Sequence, residues 1–529
     1  MTLGPAHRSA LLLAILLGIL LSGCSPNPNL GSVAVPSYDP FVRLGDGLET
    51  TAQNGASTPG AGRSATPTLA ALAVTVAGPA SGGVLVTQTP NPVRSLPTVR
   101  HTESEYTVQS GDTLGAIAGS FGVGLAALLQ ANQISVQDTL IPGSTLKIPA
   151  PEMSAAGPAF KVIPDSELVY GPAAADFDVR EFVAAQGGYL REYTEEIDTQ
   201  AVSGADVVAL VASNYSVNPR LLLAILEHRS RWVTEGSPPE MGTGFPLGFV
   251  HPNRVGLYRQ LAWAANELNR GFYSWRANSI GTWVLNDGTV VPIDPTINAG
   301  TAGIQRLFGE LDDRATWEQD VTALGLFKTY FLLFGSPFDL AIEPLVPRGL
   351  SQPGMELPFE PGTSWFFTGG PHASWDSGSA WGALDFAPPD VLGCTPSNEW
   401  ITAAADGFVV RSSDGVVVQD LDGDGYEQTG WSILYLHVFD EERLPEGTFV
   451  FAGERLGHPS CEGGVSNAAH LHLARKHNGE WIPADRDLPF MLGGWISAGG
   501  GREYDGFLRR GSVVLEALED TSDSNRIIR

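Results

Sequence analysis

The chain has 529 residues, with 62 glycines, 38 prolines and a formal charge of −27 at pH 7. That length exceeds what one hydrophobic core can organise, so several domains are expected, with long loops and linkers between them. The negative balance argues against a nucleic-acid partner, because a polyanion is repelled.

His7 and Arg8 precede an apolar run from Ala10 to Leu21, too short to span a bilayer comfortably. A positive start, a short apolar core and small residues after it read as an export signal over residues 1–23. Leu21-Ser22-Gly23-Cys24 resembles the lipobox of bacterial lipoproteins. The resemblance implies that Cys24 is lipidated and anchors the protein to the outside of a bacterial membrane, in the cell envelope. The plainer alternative is a secretory signal followed by a chance cysteine. Residues 24–103 are rich in Pro, Gly, Ser, Thr and Ala and show no sustained helical or strand period. Such a stretch cannot bury enough surface to fold. As a tether it spans roughly 50 Å on average.

Order is expected from YTVQSGDTLGAIAGSFGVGLAALLQANQISVQDTLIPGSTLKIP, Tyr106 to Pro149. Tyr106-Thr107-Val108 reads as a strand, and Ser110 to Thr113 turns and caps a helix carrying Leu114, Ile117, Ala118 and Phe121. A second helix carries Leu125, Leu128 and Leu129, and Thr145-Leu146-Lys147-Ile148 closes as a strand. The opening, the LLQANQI middle and the IPGSTLKIP ending resemble a LysM module. Over residues 104–150 the resemblance implies a βααβ fold that binds N-acetylglucosamine-containing glycans such as peptidoglycan.

Residues 160–345 read as mostly helical. Asp206 to Tyr215 is one amphipathic run, and Asn218-Pro219 caps and opens a second, LLLAILEHRSRWV. YSVNPRLLLAILEHRSRWV resembles the start of a lysozyme-like transglycosylase domain, in which a catalytic Glu precedes Ser. Here Arg229 precedes Ser230, and Glu227 lies two residues earlier, about 200° around a helix axis. A glycosidase needs a proton donor in a cleft. The segment is therefore read as a non-catalytic scaffold or glycan-holding domain.

From about Glu356 the pattern changes to short β segments separated by Gly and Asp turns, as in an antiparallel fold. Six of the ten histidines lie between 372 and 477. Alternation in Trp431 to Val438 puts Ile433, Tyr435 and His437 on one face, with Leu434 and Leu436 on the other. In Ala469-His470-Leu471-His472-Leu473 both histidines face one way while the leucines pack. His458 and His477 lack such a context and are expected at the surface or behind the site. DLDGDGYEQTGW, Asp420 to Trp431, has calcium-loop residues Asp420, Asp422 and Asp424, but Trp431 stands where a bidentate Glu belongs. A polar hairpin is the better reading, with calcium as the alternative. Cys394 and Cys461 form an even pair, expected as a disulfide outside the cytoplasm, with two buried thiols as the alternative.

A catalytic zinc usually has three protein ligands and keeps one position for water. His372 and Asp385, thirteen positions apart in GGPHASWDSGSAWGALDFAPP, are joined by a Gly/Ser-rich stretch that folds back cheaply. ALDFAPP, AAADGFVV, YLHV, RLGH and NAAHLHLA resemble, in order, the M23 zinc metallopeptidases, the lysostaphin-like peptidoglycan hydrolases. In the commonest branch the first ligand stands four residues before the aspartate, where this chain has Trp381. In the β-lytic or staphylolysin-like branch a GGPH motif supplies it, as Gly369 to His372 does here. The resemblance implies Zn2+ on His372, Asp385 and His472, with His437 and His470 as unliganded catalytic histidines. The expected architecture is multidomain α+β, a LysM module, a helical lysozyme-like domain and an antiparallel β-sheet peptidase domain over residues 356–510. The expected activity is hydrolysis of peptide bonds in peptidoglycan stems or cross-bridges. The alternative is a non-catalytic wall-binding protein or an activator of another hydrolase.

Overall fold

The computed structural model describes residues 91–109, 112–237 and 243–529. The export signal, Cys24 and most of the expected tether lie outside the described residues. Among the described residues no single helix is long and apolar enough to cross a membrane. The last part of the expected tether does not hang free. Asn91 and Arg94 donate backbone N–H groups to Thr296 and Pro295, and the Arg94 guanidinium lies 4.6 Å over the Trp275 ring. Composition gave no sign of these partners because they come from residues about 200 positions away.

In the first unit Ser104–Thr107 pairs antiparallel with Thr145–Ile148, and helices Leu114–Ser120 and Leu125–Asn132 connect them. Thr113 caps the first helix by accepting the Ala116 N–H. Val108, Ile117, Leu128 and Ile148 close a small core, giving the expected βααβ order.

The helical unit packs Gly204–Tyr215, Pro219–Ser230, Leu257–Arg276 and Ala299–Leu311 around one core, with two short hairpins added. Gly271 lets the two longest helices touch: a Cβ there would lie 2.6 Å from the Ala302 carbonyl oxygen. The helix opened by Asn218 stops at Ser230, short of the apolar run that continues to Val233. The Glu227 carboxylate accepts the N–H groups of Val233 and Thr234, each at 3.1 Å, and so closes a turn there. Trp232 and Val233 turn inward to the core instead of extending the helix.

The C-terminal unit is built on a nine-stranded antiparallel sheet among the described residues. Its middle runs Val416–Asp420, Trp431–Leu436, Leu471–His477, Trp381–Ala387, Ser364–Ala373, each hydrogen-bonded to the next. The two faces of this sheet bury different sets of side chains. Ile433, Tyr435, Leu471, Leu473, Leu384 and Phe386 fill the larger core, while Leu434, Leu436, Ala474 and Ala383 pack in a smaller one. Period-two alternation produces that division. A four-stranded sheet, 491–516, lies beside it, and Cys394 is bonded to Cys461.

The helical unit is docked on the C-terminal one by polar contacts. Ser216 Oγ donates to the Gly479 carbonyl at 2.6 Å, the Trp481 N–H donates to Tyr273 Oη at 3.0 Å, and Arg276 pairs with Glu480 at 2.9 Å. Gly479 has φ 76, and a Cβ on it would overlap the Tyr170 carbonyl oxygen, so only glycine fits. The disulfide closes a loop across 67 positions of this unit. Replacing Cys394 and Cys461 together by serine should lower the stability of this unit by about 2–4 kcal/mol. Denaturant unfolding with and without reductant measures it, and the serine variant should be the one that reductant leaves unchanged.

Candidate metal centre

Three strands bring His372, Asp385 and His472 together. Asp385 and His472 stand directly opposite each other across the ladder, on the face away from Leu384, Phe386, Leu471 and Leu473. His372 arrives from the neighbouring strand, whose register slips between Phe367 and Gly369, Gly369 and His372, and His372 and Ala373. Such bulges re-aim side chains beside functional sites. Both glycines of Gly369-Gly370-Pro371-His372 have a steric reason. A Cβ on Gly369 would lie 2.5 Å from Asp385 Oδ2, and one on Gly370 would lie 2.6 Å from the Gly506 nitrogen.

Hydrogen bonds behind the rings set their tautomers. His372 Nδ1 donates to the Gly370 carbonyl at 2.8 Å, so its Nε2 turns a lone pair inward. His472 Nε2 donates to the Ser374 carbonyl at 3.0 Å, so its Nδ1 does the same. These two inward nitrogens are 3.0 Å apart, and Asp385 Oδ1 lies 3.2 and 3.3 Å from them. All three residues are buried, at 2%, 7% and 6% exposure, and Asp385 Oδ1 receives no hydrogen bond. Three converging acceptors repel one another unless a positive charge sits among them.

The titration behaviour agrees. Burial pushes the Asp385 carboxyl up and the His372 imidazole down, but their mutual attraction outweighs it. The carboxyl is held well below the usual range, and His372 is raised. Burial lowers His472, and the His372 charge adds to that. A proton satisfies only part of this cluster. A divalent cation satisfies all three ligand atoms, which lie within 4.8 Å of one another. Two imidazole nitrogens and one carboxylate oxygen, without thiolate, are a donor set that suits catalytic zinc.

His437 reaches the site by a route that alternation did not foresee. On the pleat it would share the face of Ile433 and Tyr435, which point into the larger core. The strand ends at Leu436, and His437 adopts φ 70, a left-handed conformation uncommon for a residue with a side chain. Its ring centroid then lies 6.2 Å from that of His472 and 4.5 Å from that of His470. Ser460 holds the turn by donating to the His437 carbonyl through N–H at 2.7 Å and Oγ at 3.1 Å. His437 Nδ1 donates to the Glu462 carbonyl at 2.7 Å, and His470 Nδ1 donates to the Ala468 carbonyl at 2.9 Å. Each ring therefore keeps Nε2 as a free acceptor, and His470 Nε2 lies 3.7 Å from Asp385 Oδ1. Burial, then the charges of His470 and His472, pushes the His437 imidazole down to about 3.

Trp381 stands opposite Ala373, one ladder step beyond His372 and Ala383, and is no part of the cluster. Sequence reading missed Tyr504, whose ring stacks on His372 at 4.2 Å and 17°. Its peptide group is also fixed, because the Gly370 N–H donates to Tyr504 O at 2.7 Å. GGGREYDG carries no periodic signal, so nothing local placed it. His458 and His477 are buried rather than superficial, donating through Nδ1 to the carbonyls of Glu399 and Leu345. Asp420 to Trp431 is the hairpin its turn residues imply. Asp420 accepts the N–H groups of Asp422, Gly423 and Gly425, and Trp431 begins the next strand. In the helical unit Arg229 is paired with Asp312 at 2.8 Å, while Glu227 closes its turn.

Two family models match the chain, the LysM domain over residues 106–149 and the LasA N-terminal domain over residues 161–345. The stretch expected to be lysozyme-like is thus the one that the LasA N-terminal model covers. Similar solved structures include the M23 metalloprotease pseudoalterin from the deep sea, at 22% identity and TM-score 0.27, covering 34% of this chain and 100% of that one. The catalytic domain of the antimicrobial peptidase lysostaphin from Staphylococcus simulans is 22% identical, with TM-score 0.16, covering 22% and 86%. A zinc-containing peptidase from Vibrio cholerae is 21% identical, with TM-score 0.16, covering 27% and 39%. No curated protein sequence matches the chain.

Removing an inward ligand should abolish zinc uptake. His372→Ala and Asp385→Ala should each lose the metal in elemental analysis, and Trp381→Phe should retain it. Because both imidazoles must be unprotonated to bind, uptake should weaken as pH falls through the titration of His372, which Asp385 raises above the ordinary histidine value. Full zinc occupancy in both alanine variants would rule this pocket out.

Proposed function

We propose that the chain is a cell-envelope zinc endopeptidase that hydrolyses peptide bonds in peptidoglycan stems or cross-bridges. The observation that carries this reading is the buried convergence of His372 Nε2, His472 Nδ1 and Asp385 Oδ1 with two further histidines beside them. When bound, zinc supplies Lewis-acid charge at this pocket and lowers the pKa of water there. The LysM and LasA-type matches and the M23 neighbours fit a cell-wall peptidase.

His372, Asp385 and His472 hold the metal. Gly370 and Ser374 carbonyls hold the two imidazoles in the tautomers that ligation needs. His437 and His470 stay outside that set, each with Nδ1 tied to a carbonyl and Nε2 open. One of them takes the proton of the attacking water at Nε2, and the imidazolium so formed steadies the developing oxyanion and returns that proton to the leaving amine. Burial keeps His437 neutral, as an acceptor must be. The LysM unit holds wall glycan and raises the local concentration of substrate. In this reading a lipid anchor at Cys24 holds the enzyme on the outside of a bacterial membrane. We assign the helical unit no glycosidic chemistry, since Arg229 stands where the lysozyme-like pattern has its catalytic Glu and is paired with Asp312, while Glu227 closes a turn.

Digestion of purified peptidoglycan, followed by mass spectrometry, tests the reading. Products should carry new amino groups on peptide stems and no new sugar reducing ends. His437→Ala and His470→Ala should keep zinc and slow hydrolysis by roughly 10²–10⁴-fold. Parent rates in both variants would refute the mechanism. New reducing ends would move the activity to the helical unit, and wall binding without products would leave a non-catalytic binder.

A further inference from the structure

The loop between the first two ligands, Ser374 to Ala380, is fixed by the helical unit rather than by its own sheet alone. Its first residue supplies the carbonyl that orients His472. Within the loop, Ser374 donates N–H and Oγ to the Ala380 carbonyl, both at 2.9 Å, and the Ser379 N–H donates to the Asp376 carbonyl at 2.8 Å. The helix Leu257–Arg276 packs against this loop.

The contacts are specific. The Gly378 N–H donates to Asn266 Oδ1 at 2.7 Å, and Asn266 Nδ2 donates to Ser377 Oγ at 3.3 Å. Arg270 Nη2 donates to Ser377 Oγ at 2.8 Å. That guanidinium is itself held by Glu267, which Arg306 of the next helix pairs at 2.7 Å. On the same loop Tyr215 Oη donates to Asp376 Oδ2 at 3.1 Å, and Trp375 packs edge-on to the Tyr215 ring. Asn266 is 1% exposed, so its amide has lost water and depends on this loop for its partners. The approach is as close as two backbones allow, since a Cβ on Gly378 would overlap the Asn266 carbonyl oxygen.

We propose that the helical unit is a working part of the metal site: Asn266, Arg270 and Tyr215 are positioning residues that hold the Ser374 carbonyl, and through it His472, in the ligating geometry. This inference rests on the zinc reading given above and assigns a role to a unit whose own side chains do no chemistry there. A ligand histidine free to swing must be reordered at each binding event, whereas one held from behind is ready.

The test is a zinc titration of the full chain against a chromophoric chelator, with near-ultraviolet circular dichroism to follow packing. Gly378→Ala and Asn266→Ala should weaken zinc binding roughly 10–100-fold. Asn266→Leu fills the same space without the amide and should bind zinc as weakly as the alanine variant. That comparison separates positioning from packing, since a residue that only fills space is replaced by an apolar side chain of its own size. Parent affinity in both alanine variants would overturn the proposal, as would a leucine variant that folds and binds zinc like the parent. A parent chain that takes up no zinc would overturn both this inference and the function it rests on.

Discussion

Everything at this site follows from three hydrogen-bond acceptors that face one another in a buried pocket. Left alone, two imidazole lone pairs 3.0 Å apart with a carboxylate oxygen beside them would separate or take up protons. They are held together because each is tied from behind. His372 is anchored to Gly370, His472 to Ser374, and Asp385 is fixed across the ladder from His472. The molecule thus keeps a pocket of negative potential that only a cation can relieve, and the folding energy of the sheet maintains it.

That constraint explains features which otherwise look incidental. The two glycines before Pro371 exist because a carboxylate and a neighbouring backbone occupy the space of their side chains. The left-handed His437 is uncommon, yet without it the ring would point into the larger core, away from His470 and His472. Ser460 and Glu462 hold that conformation through three atoms of one short segment, which the disulfide at Cys461 fastens to Cys394. The helical unit meets the same site at the Ser374 to Ala380 loop, where Asn266 and Arg270 hold Ser377 and Gly378.

A division of labour across the chain follows. The small βααβ unit, the helical unit and the sheet each have their own core, so each satisfies its own apolar surface. The contacts between the helical unit and the sheet include close polar ones, as at Ser216 with Gly479 and Asn266 with Gly378, beside the packing of Tyr273 and Trp375. Such contacts add orientation more than bulk stability, since each hydrogen bond is worth only about 1 kcal/mol net. Orientation is what a ligand set needs.

The candidate ligands came from the resemblance of their motifs to the M23 peptidases; local pattern was enough to read the βααβ unit, the capped helix at Asn218 and the alternation of Ile433 and Tyr435 against Leu434 and Leu436. These depend on neighbours one to four residues away, where period and capping chemistry are legible. Alternation failed at His437 because one backbone angle reversed its face, and no composition rule marks that residue. Helix pattern overran Ser230 because a carboxylate captured the following N–H groups. Tyr504 on His372 and Asn266 on Gly378 went unseen, since each joins segments more than 100 positions apart. The sequence by itself determined which residues have the chemistry to bind a metal and move a proton. Only the tertiary structure decided which nitrogen of each ring faces inward and what stands behind it, because tautomer and aim are set by carbonyls that the folded chain brings there.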